Sequence, residues 1–321
     1  MVDRKHKQSA KKSKSPVPSP QAGLPSWVWA AGLAVLVGLF VYFNAGTGGK
    51  APSKQSAGAG DSTPDISMDR LLIQDEEVYK QYAGSASCQE CHASEFEQWK
   101  PSNHRMAERP LMAEFDVEAF DPDQGFEAAS IKSTAKKESD THIIETLGVG
   151  GTNQVHRLER VIGHTPLRQY LTDIGNGRLQ AMDTSYDPHH HEWFNVYGEE
   201  GRQAGEWGHW TGRGMNWNSM CAGCHNTRLR KNYDPETDQY HTAMAEMSVG
   251  CESCHGPLKA HVQYYKSPET YEKPPKAPLG ERDANQILDT CGSCHSRRTE
   301  LTGDFVPGES YLDHYSLVIP D

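Results

Sequence analysis

The chain has 321 residues and a formal net charge of −11, with 36% hydrophobic and 23% charged residues. This length is sufficient to bury a hydrophobic core without a disulfide framework. The acidic balance excludes a protein whose main partner is nucleic acid, because carboxylates and phosphates repel each other.

The N-terminal region has two parts of opposite character. Residues 1–26 are basic and rich in Ser and Pro, which predicts a cytoplasmic basic tail without a packed core. Residues 27–43 contain no charged side chain. As a helix they would be about 25 Å long, close to the thickness of a bilayer core. We therefore predict a transmembrane anchor at 27–43, with a cleaved signal peptide as the alternative.

Beyond the anchor, residues 44–67 are rich in Gly, Ala, Ser and Pro, which is typical of a flexible linker. Residues 68–321 then form one domain by length. The predicted location is the bacterial inner membrane, crossed once, with this domain in the periplasm. Residues 1–26 carry six basic side chains and one acidic one, so the remainder carries a net charge of −16. This charge favours solubility and would attract a basic partner.

All eight cysteines fall in four copies of the pattern Cys-x-x-Cys-His. The copies comprise Cys88, Cys91 and His92; Cys221, Cys224 and His225; Cys251, Cys254 and His255; and Cys291, Cys294 and His295. On a helical turn, thiols three residues apart reach the two vinyl groups of one porphyrin, and the next histidine becomes an axial iron ligand. Zinc sites and disulfides do not require a histidine after every pair. The sequence predicts four covalently bound haem c groups.

The sequence around the motifs predicts short helical segments interrupted by Gly and Pro, including one over residues 93–99. Residues 113–140 are rich in charged side chains, and we predict that they form irregular structure. Alternating residues between Gly, Asn and Asp turns predict a small antiparallel β insert of two to four strands at about 141–198, with a short helix at 167–174. We expect a mainly α fold with irregular loops and this β insert, behind one N-terminal transmembrane helix.

Further histidines are candidates for the second axial position of each iron. His104 lies twelve residues after His92, about 18 Å along a helix, so it should reach a neighbouring haem rather than its own. The same argument applies to His261 after His255, and His209 is a third candidate. Two histidines on one iron favour a lower reduction potential than a histidine and a methionine.

Several segments around the motifs carry a further similarity: Tyr82–Cys88, Trp99–His104, Asn216–Cys221, Val249–Pro257 and Cys291–Arg298. In these the sequence resembles the cytochrome c-554 family of multihaem cytochromes. The resemblance implies a compact tetrahaem domain with stacked haem pairs that carries electrons from hydroxylamine oxidation to membrane acceptors. Residues 105–208 depart from the compact family pattern. Longer relatives continue into further haem motifs and tetratricopeptide repeats, so this chain is also interpreted as an N-terminal part.

The resemblance also implies axial pairs. His104 would ligate the haem of His255, His261 the haem of His295, and His209 the haem of His92. The haem of His225 would then be five-coordinate.

We expect an electron-transfer protein rather than a catalyst, and predict no catalytic residue. The expected partners are other cytochromes and quinone-linked membrane complexes. The alternative is an oxidoreductase or sensor that acts on a small nitrogen-oxide ligand at a five-coordinate haem.

Thioether attachment predicts that the denatured protein keeps its haem. Mass spectrometry under denaturing conditions should give the polypeptide plus four haems. Replacing both Cys88 and Cys91 by alanine should remove one haem, because a porphyrin without thioether bonds dissociates on denaturation. A mass equal to the bare polypeptide, with no Soret band, would contradict the prediction.

Overall fold

The computed structural model describes residues 74–128, 130–270, 273, 275 and 282–319. The predicted tail, transmembrane anchor and linker lie outside these described residues. Among the residues that are described, no helix is both long enough and apolar enough to cross a membrane. The prediction of a single-pass inner-membrane protein is corrected on this finding and is not carried further.

In the described part of the chain, the largest element is an antiparallel sheet of eight strands in the order β2-β3-β4-β5-β6-β7-β8, with β1 paired to β5. Three two-stranded sheets pair β9 with β12, β10 with β11, and β13 with β14. The strands are β1 (Glu108–Pro110), β2 (Gln124–Ala128), β3 (Ile131–Glu138), β4 (Thr141–Leu147), β5 (Asn153–Ile162), β6 (Arg168–Asp173), β7 (Leu179–Asp187), β8 (Glu192–Asn195), β9 (Asn226–Thr227), β10 (Tyr233–Asp234), β11 (Gln239–Tyr240), β12 (Glu246–Met247), β13 (Arg298–Glu300) and β14 (Tyr315–Leu317).

The helices are short. Among the described residues the longest has 12 residues. They are α1 (Asp75–Tyr79), α2 (Ala93–Trp99), α3 (Ala113–Asp116), α4 (Trp217–Met220), α5 (Ala222–His225), α6 (Glu252–His255), α7 (Lys259–Lys266), α8 (Ala284–His295) and α9 (Tyr311–His314).

The predicted mainly α fold is therefore wrong, since strands dominate the described structure. The β insert is real but larger than predicted, because strands begin before residue 141. In β3 the inward positions include the small residues Ser133 and Ala135, while charged residues face outward. Such a strand lacks the large apolar alternation by which strands are usually found. Residues 167–174, predicted as a helix, contain β6 because a short buried apolar run fits either structure.

The eight-stranded sheet curls so that its edge strands meet. Phe126 of β2 stacks on Trp193 of β8, with ring centroids 5.1 Å apart and planes 3° apart. The enclosed core contains Phe120, Tyr170 and Trp210, all fully buried. Aromatic side chains bury large apolar areas, so this cluster stabilises the curled sheet.

A second core joins the sheet to the helices of the second Cys-x-x-Cys-His motif. Ile162 of β5 and Leu171 of β6 pack with Met215, Trp217 and Ala222. Trp210 lies in the first core and Trp217 in the second. The sheet consequently forms part of the framework that positions the second motif.

A buried ion pair fixes the chain where it enters the sheet. Asp116 accepts hydrogen bonds from both terminal nitrogens of Arg109, at 2.6 and 2.9 Å, and from the Met112 backbone at 2.7 Å. Both side chains are almost completely buried. Removing one partner of such a pair leaves an uncompensated charge away from water.

Replacing Asp116 by alanine should therefore lower the free energy of unfolding by about 3–5 kcal/mol. Denaturant titration of the haem-loaded protein, followed by circular dichroism, measures this loss. The matched control is Glu77→Ala, which breaks the exposed pair between Glu77 and Lys80 and should change stability little. Equal losses in the two variants would refute the assigned role of the buried pair.

Candidate haem-binding site

The four Cys-x-x-Cys-His motifs adopt the tight helical turns that haem attachment requires. The second and third form α5 and α6, the fourth forms the end of α8, and the first follows a 3₁₀ turn at Ser85–Cys88. All eight cysteines are free of disulfides. Each pair of thiols therefore remains available for one porphyrin.

The first and third motifs lie against each other. A hydrogen bond with Cys88 lowers the pKa of the Cys251 thiol to about 6, and the same contact raises the pKa of Cys88. The hydroxyl of Ser85 accepts a hydrogen bond from the Cys251 backbone at 2.9 Å. The buried carboxylate of Glu252 accepts from the backbone of Ala83 and Gly84 at 2.9 and 2.8 Å. These contacts hold the two attachment turns together.

The second and fourth motifs form another contacting pair. A hydrogen bond with Cys294 lowers the pKa of Cys224 to about 6, and the nearby Arg298 guanidinium also lowers it. The same Arg298 donates to the Cys224 sulfur at 3.8 Å and lies 4.0 Å from the ring centroid of Tyr315. Arg298 thus places a positive charge between these two attachment turns.

The third and fourth motifs connect the two pairs. Burial raises the pKa of Cys254 in the third motif, and the nearby Cys291 of the fourth motif adds to the rise. The contacts therefore pair the first motif with the third and the second with the fourth, and Cys254 and Cys291 lie near each other between the two pairs.

Two proximal histidines face a second histidine at a distance that suits axial ligation. The ring centroids of His92 and His261 are 6.3 Å apart, and those of His104 and His295 are 6.1 Å apart. Two metal–imidazole bonds of about 2 Å each place the centroids of opposed ligands about 6 Å apart. Both pairs thus leave room for one iron between their rings.

The first site also has the cavity that a porphyrin needs. A mainly apolar cavity of 430 Å³ is lined by Cys88, Cys91, His92 and His261, together with Tyr265. It brings both thiols, the proximal histidine and an opposed histidine to one place. The described residues at this site fit a covalently attached haem with two axial histidines.

These positions change the axial pairs that the family resemblance implied. His261 lies opposite His92 rather than at His295. His104 lines a 210 Å³ cavity with His255, but its ring lies opposite that of His295. Ligation of one iron by two histidines requires a suitable separation of their imidazole rings, and lining the same cavity does not ensure that separation. The geometry therefore favours His295 as the partner of His104.

His209 lies in a different environment. It is 1% exposed, packs beside Trp210, and its Nδ1 lies 2.8 Å from the Thr211 hydroxyl. Burial lowers the pKa of His209. The structure thus favours His261 over His209 for the haem of His92, and ligation by His209 stays a prediction.

The proximal histidine of the second motif is oriented by the chain that leads into the sheet. Nδ1 of His225 lies 2.8 Å from the carbonyl oxygen of Ala107, which leaves Nε2 for the iron. The next residue, Glu108, is fully buried and accepts from Asn226 at 2.6 Å. The sequence did not predict a role for Ala107 or Glu108. Each lies 118 positions before its partner, His225 or Asn226, and Ala107 acts only through its backbone carbonyl.

The chain matches the family model described as "Cytochrome c554 and c-prime" over residues 87–148 and 184–256, which contain the first three motifs. No curated protein matches it. Two solved structures are similar. The outer cell wall cytochrome OcwA has a TM-score of 0.47 and 22% identity, over 74% of this chain and 45% of that one. The undecahaem cytochrome from the S-layer of Carboxydothermus ferrireducens has a TM-score of 0.42 and 18% identity, over 71% of this chain and 27% of that one. The chain thus spans less than half the length of either structure.

The family match implies covalently bound haem c and, with the geometry of the attachment motifs, supports an electron-transfer function. The resemblance inferred from the sequence is confirmed for the matched segments. The count of four haems, the membrane anchor and the link to tetratricopeptide repeats are not confirmed by these comparisons.

The histidine pairs predict which substitution opens a haem. His261→Ala should convert one haem from low-spin to high-spin, because His92 would be its only remaining axial ligand. Electron paramagnetic resonance of the ferric protein measures the change. His209→Ala should leave the spectrum as it is, and the exposed His190→Ala is a further control. A high-spin signal from His209→Ala alone would restore the original assignment.

Proposed function

We propose that this protein is a tetrahaem c-type cytochrome that carries electrons between redox partners along the order first, third, fourth and second haem. The observation that supports the proposal is the contact between attachment turns. The Ser85 hydroxyl, three residues before Cys88, accepts from the Cys251 backbone at 2.9 Å. The Cys224 sulfur lies 3.8 Å from the Cys294 carbonyl oxygen. Cys254 of the third motif lies near Cys291 of the fourth.

Contact between attachment turns matters because electron transfer slows steeply as the distance between porphyrin edges grows. Thioether bonds hold each porphyrin at its own pair of cysteines. Motifs whose attachment turns pack together therefore keep their porphyrins close together. An order with one haem at each end suits transport between an electron donor and an acceptor.

The first site, at one end of this order, also suits exchange with other proteins. Cys91 of the first motif is exposed, and its cavity lies at the surface of α7. We propose other redox proteins, cytochromes among them, as the partners. The net charge of −16 on the chain after residue 26 would steer a basic partner toward this protein.

Removing the fourth haem should interrupt transport, whereas removing the terminal second haem should not. In Cys291→Ala with Cys294→Ala, the second haem loses its neighbour and should be oxidised in a separate slow phase. In the matched control, Cys221→Ala with Cys224→Ala, the remaining three haems stay contiguous and should be oxidised in one phase. Stopped-flow oxidation of the reduced proteins by a soluble acceptor, monitored at the haem absorption, measures both.

Haem counts by mass confirm that each variant has lost one group only. Identical kinetics in the two variants would refute the proposed order. Carbon monoxide binding with a high-spin ferric signal in the unmodified protein would favour ligand chemistry at an open iron over transport alone.

A further inference from the structure

A buried carboxylate lies beside the proximal histidine of the second motif. Glu108 is fully buried at the start of β1. One carboxylate oxygen accepts from the Trp217 indole at 2.8 Å and from the Asn226 amide at 2.6 Å. The other accepts from Arg160 at 3.0 Å.

One chain neighbour and one hydrogen-bond partner of Glu108 contact or adjoin the predicted iron ligand His225. The carbonyl of Ala107, the residue before Glu108, lies 2.8 Å from Nδ1 of His225. Asn226, which donates to Glu108, is the residue after His225. Glu108 is thus connected to the ligand from two sides.

The ionic partner of Glu108 is less buried than the carboxylate. The Arg160 side chain is 27% exposed, and its guanidinium lies 5.1 Å from the ring centroid of Trp217. Solvent screens an exposed charge more strongly than a buried one. The negative charge of Glu108 is therefore only partly balanced near the second motif. In agreement, burial raises the pKa of Cys221 to about 12, with the charge of Glu108 adding to the rise.

We propose that Glu108 is a positioning and charge-setting residue for the second haem, which lowers its reduction potential, and that Arg160 opposes this effect. A ferric haem carries one more positive charge than a ferrous haem. A nearby buried carboxylate therefore stabilises the ferric state, and a nearby guanidinium stabilises the ferrous state. The carbonyl of Ala107 acts in the same direction as Glu108, since a hydrogen-bonded imidazole is a more basic ligand.

The inference rests on the proposed haem at the second motif, and two variants with opposite expected shifts test it. Glu108→Gln keeps the side-chain shape and removes the charge, so the midpoint potential of the second haem should rise. Arg160→Gln leaves the carboxylate unbalanced, so the same potential should fall. The other three haems should keep their potentials. A role in stability alone would not move one potential in opposite directions.

Potentiometric titration monitored by electron paramagnetic resonance measures these shifts in the full-length, haem-loaded protein. The signal of the second haem is the one that His225→Met alters. The matched control is Glu118→Gln, which removes a carboxylate paired with Arg168 in the sheet and should shift no potential.

The outcomes separate this inference from the proposed function. If the unmodified protein lacks a haem at the second motif by mass, both fail. If all haems are present and the second potential is unchanged in both variants, or moves in the same direction in both, the inference about Glu108 alone is overturned. If Glu108→Gln does not fold, the Arg160→Gln variant still tests the inference, because the midpoint potential of its second haem should fall.

Discussion

The structure depends on direct contact between attachment turns that are distant in the sequence. Ser85 binds the backbone of Cys251 at 2.9 Å, and the Cys224 sulfur lies 3.8 Å from the Cys294 carbonyl oxygen. Buried polar side chains support this arrangement, because Glu252 holds the backbone before the first motif and Thr227 binds the Ser253 hydroxyl at 2.8 Å. Short helices serve this packing better than long ones, since each attachment turn needs only enough helix to present two thiols and a histidine.

The curled sheet has a structural role at the haem site rather than serving as a spacer. Its β1 strand starts one residue after the carbonyl that orients His225, and its outer surface packs on the helices of the second motif. This region includes residues 149–183, which lie between the two segments matched by the family model. The second motif thus packs against the sheet through Ala222, whereas the cavity of the first site is lined by residues of α7.

The charges around the four attachment motifs differ in sign. Arg298 lies between the second and fourth motifs, and Arg282 lies 3.1 Å from Nδ1 of His255. Glu108 lies beside the second motif and is largely shielded from solvent. Fixed charges of opposite sign near different irons separate their reduction potentials, since each potential reflects the cost of adding an electron at that position.

The sequence by itself determined the chemistry of attachment. Four copies of Cys-x-x-Cys-His specify two thiols and one ligand within a single turn, so their local geometry needs no tertiary information. The strand patterns at residues 141–147 and 192–195 were likewise sufficient, because alternation along a half-buried strand is a local property. The match to the cytochrome c554 family agrees with this part of the interpretation.

Only the tertiary structure decided the extent of the sheet, the axial partners and the surroundings of the second motif. The inward residues of β3 are too small to reveal a strand, and their burial depends on neighbouring strands. The placement of His261 opposite His92 depends on how α7 packs against the first motif. Glu108 gains its position from strand pairing and from partners 52 to 118 residues away. Such contacts depend on the folded path of the chain, and spacing along the sequence does not contain that path.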